Sequence, residues 1–233
     1  MNESSCRALL VLPAANTTMA DEIAALCPWL GALSVARVSS PPQGIANDLP
    51  GYRANTLQAV APFLPEQPNL VIFGCTAAGF YGGPEGNAET VGVLRDLTKA
   101  DVVSTSDAMV DVLRHEKASR VAVVTPYAQD INDRLTAYVQ GAGLAVTSLD
   151  SFLCATSAEL LAITEDQVLQ KSLATDLRGA DALFIACSQM PTLRIMPVLR
   201  ERLGLPVWSS ISATAWAAHQ AWTRAASRQR VDA

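Results

Sequence analysis

Four short runs in this chain are almost unbroken in apolar residues: ALLVLP (8–13), NLVIFG (69–74), RVAVVTP (120–126) and DALFIAC (181–187). A strand can be apolar at successive positions only where both faces of its sheet are covered, as in parallel sheets flanked by helices. LPVWSS (205–210) reads as a further strand and DVVSTS (101–106) as a weaker one. Amphipathic stretches at 17–27, 53–64, 86–98, 107–116, 129–142, 165–178 and 193–203 lie between the runs. This alternation predicts an α/β fold built on parallel sheet.

The runs also echo one another. Pro13 and Pro126 each stand between a strand and a helix, 113 positions apart, and Cys75 and Cys187 each end an apolar strand, 112 positions apart. Two landmarks at nearly one offset predict two pseudo-symmetric halves, at about residues 1–106 and 107–212. Such halves would face each other through the C-terminal ends of their strands, where open α/β sheets bind ligands. The final stretch, 213–233, reads as a helix packing back on the first half. The most loop-like segment, PPQGIANDLPGYRAN (41–55), is placed to cover a site between the halves.

Composition removes several function classes. A net charge of −5 without a basic stripe argues against nucleic acid and anionic membrane as partners. No stretch approaches the ~18–20 apolar residues that span a bilayer. The N-terminus reads as a first strand rather than a signal peptide, so the cytoplasm is the expected location. Five scattered cysteines without a CxxC, and only two histidines, argue against both a disulfide framework and a zinc site. Neither a dinucleotide fingerprint nor a P-loop is present, and no cofactor is expected.

The chemistry-bearing candidates are Cys75, in FGCTAAGFYGGPEG, and Cys187, in IACSQMPT. A single strand-end cysteine is most often a small buried hydrophobe. Two at equivalent places in echoing halves point instead to a thiol pair across a cleft. A helix expected to start near Pro191 would favour the Cys187 thiolate through its N-terminal partial charge. Cys6, Cys27 and Cys154 lack that context and read as structural. Asn16 stands where a helix cap belongs as well as near the expected cleft, and Gly82-Gly83-Pro84 reads as a turn.

The segments LPAANTT (12–18), FGCTAAGFYGGPEG (73–86), VAVVTPYAQDINDRL (121–135), ACSQMPT (186–192) and LGLPVWSS (203–210) resemble the Asp/Glu racemase superfamily, in its branch of maleate cis–trans isomerases and arylmalonate decarboxylases. The resemblance implies two pseudo-symmetric α/β halves, a site in the cleft between them, no metal or organic cofactor, and a homodimer. It matches Cys75 to a cysteine that is the nucleophile of maleate isomerases and a proton carrier in racemases, where the decarboxylases carry glycine. Cys187 matches a proton-donating cysteine, Asn16 an Asn that holds a substrate carboxylate, Tyr127 a substrate-contacting tyrosine, and Thr76 a hydrogen-bonding threonine of the decarboxylases. With Ala77, Ser157, Ser188 and Gln189, the resemblance therefore implies a substrate-binding set of Asn16, Thr76, Ala77, Tyr127, Ser157, Ser188 and Gln189. Two departures stand out. Maleate isomerases place an asparagine near Ser157, and Thr76-Ala77-Ala78 is more decarboxylase-like.

Two thiols on opposite faces of a small carboxylic acid suit proton transfer or carbon attack, because an unperturbed thiol titrates near pH 8.5. The first expectation is maleate-type cis–trans isomerisation, with Cys75 adding to the double bond and Cys187 handling the proton. The alternatives are racemisation or decarboxylation by proton transfer next to a carboxylate, and a small-acid binding protein without catalysis.

Overall fold

The computed structural model describes residues 5–231, which form two four-stranded parallel sheets. The first holds β1 (Arg7–Pro13), β2 (Ala32–Val38), β3 (Leu70–Phe73) and β4 (Asp101–Ser104), in the spatial order β2-β1-β3-β4. The second holds β5 (Arg120–Thr125), β6 (Ala145–Ser151), β7 (Ala182–Ile185) and β8 (Val207–Ser209), in the order β6-β5-β7-β8. The helices are α1 (Met19–Leu26), α2 (Leu49–Val60), α3 (Thr76–Thr98), α4 (Thr105–His115), α5 (Gln129–Gly141), α6 (Ser157–Leu161), α7 (Glu165–Ala174), α8 (Ile195–Leu203) and α9 (Ser210–Val231). The two-halved parallel α/β architecture expected from the apolar runs is the one observed.

Every residue of β3 (LVIF) and β7 (ALFI) is buried, as continuous apolar strands covered on both faces must be. Each fully buried Leu, Ile, Val or Phe side chain contributes on the order of 1.5–3 kcal/mol relative to exposure. The edge strands β2 and β6 were not among the expected elements. Their sequences, ALSVARV and AVTSLDS, mix polar with apolar residues because much of each strand remains accessible.

The two sheets share one register. Val11 pairs with Phe73 in the first and Val124 with Ile185 in the second. One step further, Gly74 N–H donates to the Val11 carbonyl and Ala186 N–H to the Val124 carbonyl, both at 2.8 Å. Cys75 and Cys187 therefore occupy the same place, each two residues beyond the last paired residue. That place is where strand order reverses, between β1 and β3 and between β5 and β7, and such switch points open a crevice at the strand ends.

Helix boundaries differ from expectation at the site. α3 begins directly after Cys75, ten residues earlier than the amphipathic pattern suggests, because its first turns are small and mostly buried residues that show no helical stripe. Gly82-Gly83-Pro84 is a kink inside that helix rather than a free turn: Gly83 takes φ 63°, left-handed backbone that glycine adopts without steric cost. Segment 41–55 is a loop only in its first part, since α2 starts at Leu49, capped by the Asp48 carboxylate on Gly51 N–H at 2.8 Å. The C-terminal helix starts at Ser210 and packs on α1, β3 and β4 of the first sheet as well as on α4; residues 232 and 233 lie outside the described residues. Trp29 on the first half meets His219 edge-on at 5.4 Å and stacks with Trp222 at 6.5 Å. Among the described residues, no helix is long and apolar enough to cross a membrane, and no group of three or more His, Cys, Asp or Glu could hold a metal ion.

The halves are tied together across the cleft by a buried carboxylate. Glu22 of α1 accepts hydrogen bonds from Thr192 N–H (2.7 Å), Leu193 N–H (3.1 Å) and Thr192 Oγ1 (3.0 Å), all from the loop before α8. Burial raises its pKa, and these three donors oppose the rise. Removing the carboxylate leaves the buried Thr192 N–H and the part-buried Leu193 N–H without partners. Glu22→Ala is expected to destabilise the protein by about 2–3 kcal/mol, which lowers the thermal midpoint by roughly 4–12 °C in a chain of this size. A melting curve followed by circular dichroism checks this, and an unchanged midpoint would show that the halves dock without Glu22.

Candidate active site

Both thiols open into one cavity of about 570 Å³ at the facing strand ends. From the first half come Pro13, Asn16, the 44–46 loop, Cys75, Thr76 and Ala77. The second half supplies Tyr127, Cys154, Ser157, Cys187, Ser188 and Gln189. Every residue proposed from the sequence thus lines the same space. No lysine or arginine is among the lining residues, and Asp130 is the one charged side chain there. A carboxylate bound here meets neutral donors. Such donors, fixed in place and shielded from water, stabilise charge that grows during a reaction. A second cavity of about 520 Å³, between β4, α4 and α9, lies away from both thiols.

Cys75 is the residue before the first turn of α3, with extended backbone (φ −103°, ψ 90°). Burial pushes its thiol up to about 11, against the Tyr52 hydroxyl and the Ala78 and Ala77 N–H groups, which pull the other way. The positive end of a helix thus belongs to Cys75. The expectation that it belongs to Cys187 is corrected: α8 begins only at Ile195, and a tight turn over 188–190 supplies the donors instead. Gln189 N–H donates to Cys187 Sγ at 3.4 Å. Burial raises the Cys187 pKa as well, opposed by the Tyr127 hydroxyl and the N–H groups of Gln189 and Met190.

Tyr127 is held by its backbone. Its carbonyl accepts from Asn132 Nδ2 at 2.9 Å and from Ser151 Oγ at 2.6 Å. Its phenol, buried beside Cys187 and Thr76, stays protonated well into the alkaline range, so it acts as a donor. Thr76 Oγ1 is buried and makes no well-formed hydrogen bond to the protein.

Asn16 is both a cap and a cross-link. Its Oδ1 accepts from Thr18 and Met19 N–H at 3.2 and 3.0 Å, and its Nδ2 donates to the Ser188 carbonyl at 3.0 Å and to Ser188 Oγ at 3.3 Å. Ser188 Oγ in turn donates to the Gly74 carbonyl at 2.7 Å. Gln189 closes the seam, accepting from Thr17 N–H at 2.8 Å and donating to the Thr17 and Thr18 hydroxyls at 3.0 and 3.1 Å. The side chains of Ser188 and Gln189 are therefore engaged in holding the halves together. Ser157, the first residue of α6, is exposed at the rim.

Three features of the site went unread in the sequence. Cys154, expected to be a structural thiol, is half-buried and lines the cavity. The 160–161 leucines, with Ile45 and Ile131, give the cavity an apolar wall. Tyr52 stands beside Cys75 from the first turn of α2, which lies in the segment 41–55 that the sequence presents as loop. Nothing in the local pattern marks these residues, because each reaches the site only through the packing of its element.

The raised Cys75 pKa has a measurable consequence. Below a pKa of about 11 the thiolate fraction climbs about tenfold per pH unit, and only the thiolate reacts. Iodoacetamide labelling of Cys75 is expected to accelerate about tenfold per unit from pH 7 to pH 9 without levelling off, as read by peptide mapping. Cys6 and Cys27, buried outside the cavity with pKa values near 12 and 11, are expected to label far more slowly. A plateau for Cys75 by pH 8 would show that local donors outweigh burial.

The sequence model of arylmalonate decarboxylase matches residues 54–231. The maleate isomerase of Nocardia farcinica is 29% identical over 220 residues, covering 89% of this chain and 86% of that protein. Arylmalonate decarboxylase of Bordetella bronchiseptica is 32% identical over 144 residues, 60% of each protein. Among solved structures, a mutant of the Nocardia farcinica maleate cis–trans isomerase carrying a covalently bound succinylcysteine intermediate superposes with a TM-score of 0.86 at 26% identity, covering 94% of both chains. The family match runs through Cys75, Tyr127 and Cys187 and the strands that carry both thiols, and on that ground the chain belongs to the arylmalonate decarboxylase family.

Proposed function

We propose that this chain is a two-cysteine isomerase that converts maleate, or a closely related small cis dicarboxylate, to its trans isomer. The observation that carries the reading is the placement of Cys75 and Cys187 at equivalent strand ends, opening into one cavity lined by neutral donors. The maleate isomerase of Nocardia farcinica matches 89% of the chain, and a mutant of it was solved with a succinylcysteine intermediate.

In the proposed reaction the Cys75 thiolate adds to one olefinic carbon and forms a C–S bond. The π electrons move onto the neighbouring carbon and its carboxylate as an enediolate. Thr76 Oγ1 and Tyr127 Oη, from residues that line the cavity, would stabilise that charge. Cys187 delivers its proton to the carbanion, giving a succinyl thioether whose central bond is single and free to rotate. After rotation the Cys187 thiolate withdraws the proton and the C–S bond breaks, releasing fumarate and the Cys75 thiolate. A covalent intermediate of this kind replaces one difficult rotation with two easier steps. Asn16 and the Ser188 and Gln189 turn hold the two thiols at fixed separation, while Ala77 and Ser157 line the walls.

Proton NMR of maleate incubated with the protein tests the activity directly, with fumarate as the expected product. Acid quench is expected to leave an adduct of about 116 Da on the Cys75 peptide. Conversion without that adduct would reject nucleophilic attack.

Cys75→Ser and Cys187→Ser are each expected to lower turnover by about 10³-fold or more while leaving the melting curve unchanged, because each removes a group used in bond making. Cys6→Ser and Cys27→Ser, which lie outside the cavity, are expected to retain activity. Full activity in either of the first two variants overturns the two-thiol mechanism.

A second reading is favoured by the family match and by the apolar wall of Ile45, Ile131, Leu160 and Leu161, which suits an aryl group. In decarboxylation carbon dioxide must leave from one side of the substrate, and Cys75 occupies a side of this cleft. Rapid decarboxylation of phenylmalonate without turnover of maleate would establish that reading instead.

A further inference from the structure

Cys75 has a neighbour that the proposed reaction does not use. Tyr52, in the first turn of α2, is 1% exposed, and its ring packs in the core of the first sheet among Leu9, Val11, Phe73 and Ala78. Its hydroxyl forms no well-made hydrogen bond with any other group of the protein, and the polar group beside it is the Cys75 thiol. A buried phenol O–H without a strong acceptor is costly. A neutral thiol accepts weakly, whereas a thiolate accepts a charge-assisted hydrogen bond about twice as strong as a neutral one. Ionisation of Cys75 therefore gives Tyr52 the acceptor it otherwise lacks.

Tyr52 is not among the residues that line the cavity. It shares the buried core of the first sheet with Cys75, away from the cavity wall. This separates it from Tyr127, which lies beside Cys187 but also lines the cavity and can touch substrate. Burial alone also holds Tyr52 in its protonated form, as does the nearby Cys75, so the phenol is a donor at every working pH.

We propose that Tyr52 is a positioning residue for Cys75: its buried hydroxyl donates to Sγ from behind, holds the thiolate form, and leaves the opposite lobe of the sulfur aimed into the cleft. The inference rests on Cys75 being the attacking thiol, but it does not depend on which acid is attacked.

The test is the pH profile of Cys75 alkylation in the full chain without substrate, with iodoacetamide as the probe. Tyr52→Phe removes one oxygen and leaves the ring. The Cys75 curve from pH 7 to pH 10.5 is expected to move about one unit to higher pH, making labelling about tenfold slower at any fixed pH, while the Cys187 curve stays in place. With maleate, kcat is expected to fall by a similar factor and KM to change by less than about twofold, since Tyr52 does not meet the substrate. Tyr52→Leu, which also loses the ring, supplies the packing control. A Cys75 curve that is unmoved in Tyr52→Phe overturns the proposal. So does a shift confined to Tyr52→Leu, which would assign Tyr52 to packing. A shifted alkylation curve in a protein that turns over no maleate would uphold the role of Tyr52 and reject the substrate assignment alone.

Discussion

The cleft depends on a hydrogen-bonded seam between two strand ends. Ser188 Oγ donates to the Gly74 carbonyl at 2.7 Å, so the residue after Cys187 is fastened to the residue before Cys75. Around that contact Asn16 and Gln189 each bridge the halves, and Glu22 fastens α1 to the loop before α8. Two separate sheets have no backbone ladder in common, so the distance between the thiols is set by this seam together with the packing of α3 on α5 and of α9 on the first sheet. Chemistry on both faces of one small molecule requires that distance, because misplacement of reacting groups by an ångström costs orders of magnitude in rate. The polar residues flanking the cysteines are thus as much part of the frame as part of the site.

The same closeness that fixes geometry also sets the electrostatics. Burial raises the pKa of both thiols, and each is opposed by a phenol and by two backbone N–H groups. The arrangement suits a reaction in which Cys187 gives up and takes back a proton while Cys75 attacks and leaves as the thiolate. A thiol far below neutrality would be locked as thiolate and poor at giving up a proton. Among the described residues no cationic side chain lines the cavity to force ionisation, and charge there would be met by hydroxyls and amides that lose nothing to reorganisation.

Legibility in the sequence followed burial. β1, β3, β5 and β7 are central and covered on both faces, and their apolar runs announced them. The edge strands β2 and β6 stayed hidden, since a partly accessible strand tolerates polar residues at any position. The start of α3 was hidden for another reason: Thr76, Ala78, Gly79 and Phe80 are all buried, so no polar face reveals the helical period. At Gly79 an added Cβ would collide with the Ser106 side chain, which accounts for small residues at that contact between α3 and α4. The cysteine pair was visible through its spacing alone, which the shared register of the sheets explains.

What the sequence determined by itself was the parallel α/β class, the two-fold echo and the two thiols, because these follow from local apolar content and from positions counted along one chain. Tertiary structure decided which donors serve each sulfur. Tyr52 lies in a segment that reads as loop, 23 positions before Cys75, and reaches it only because α2 packs on the sheet that ends there. Cys187 receives its N–H groups from a turn rather than from the helix that the sequence suggests. Contacts of this kind depend on how elements cross in space, and no local periodicity encodes the crossing.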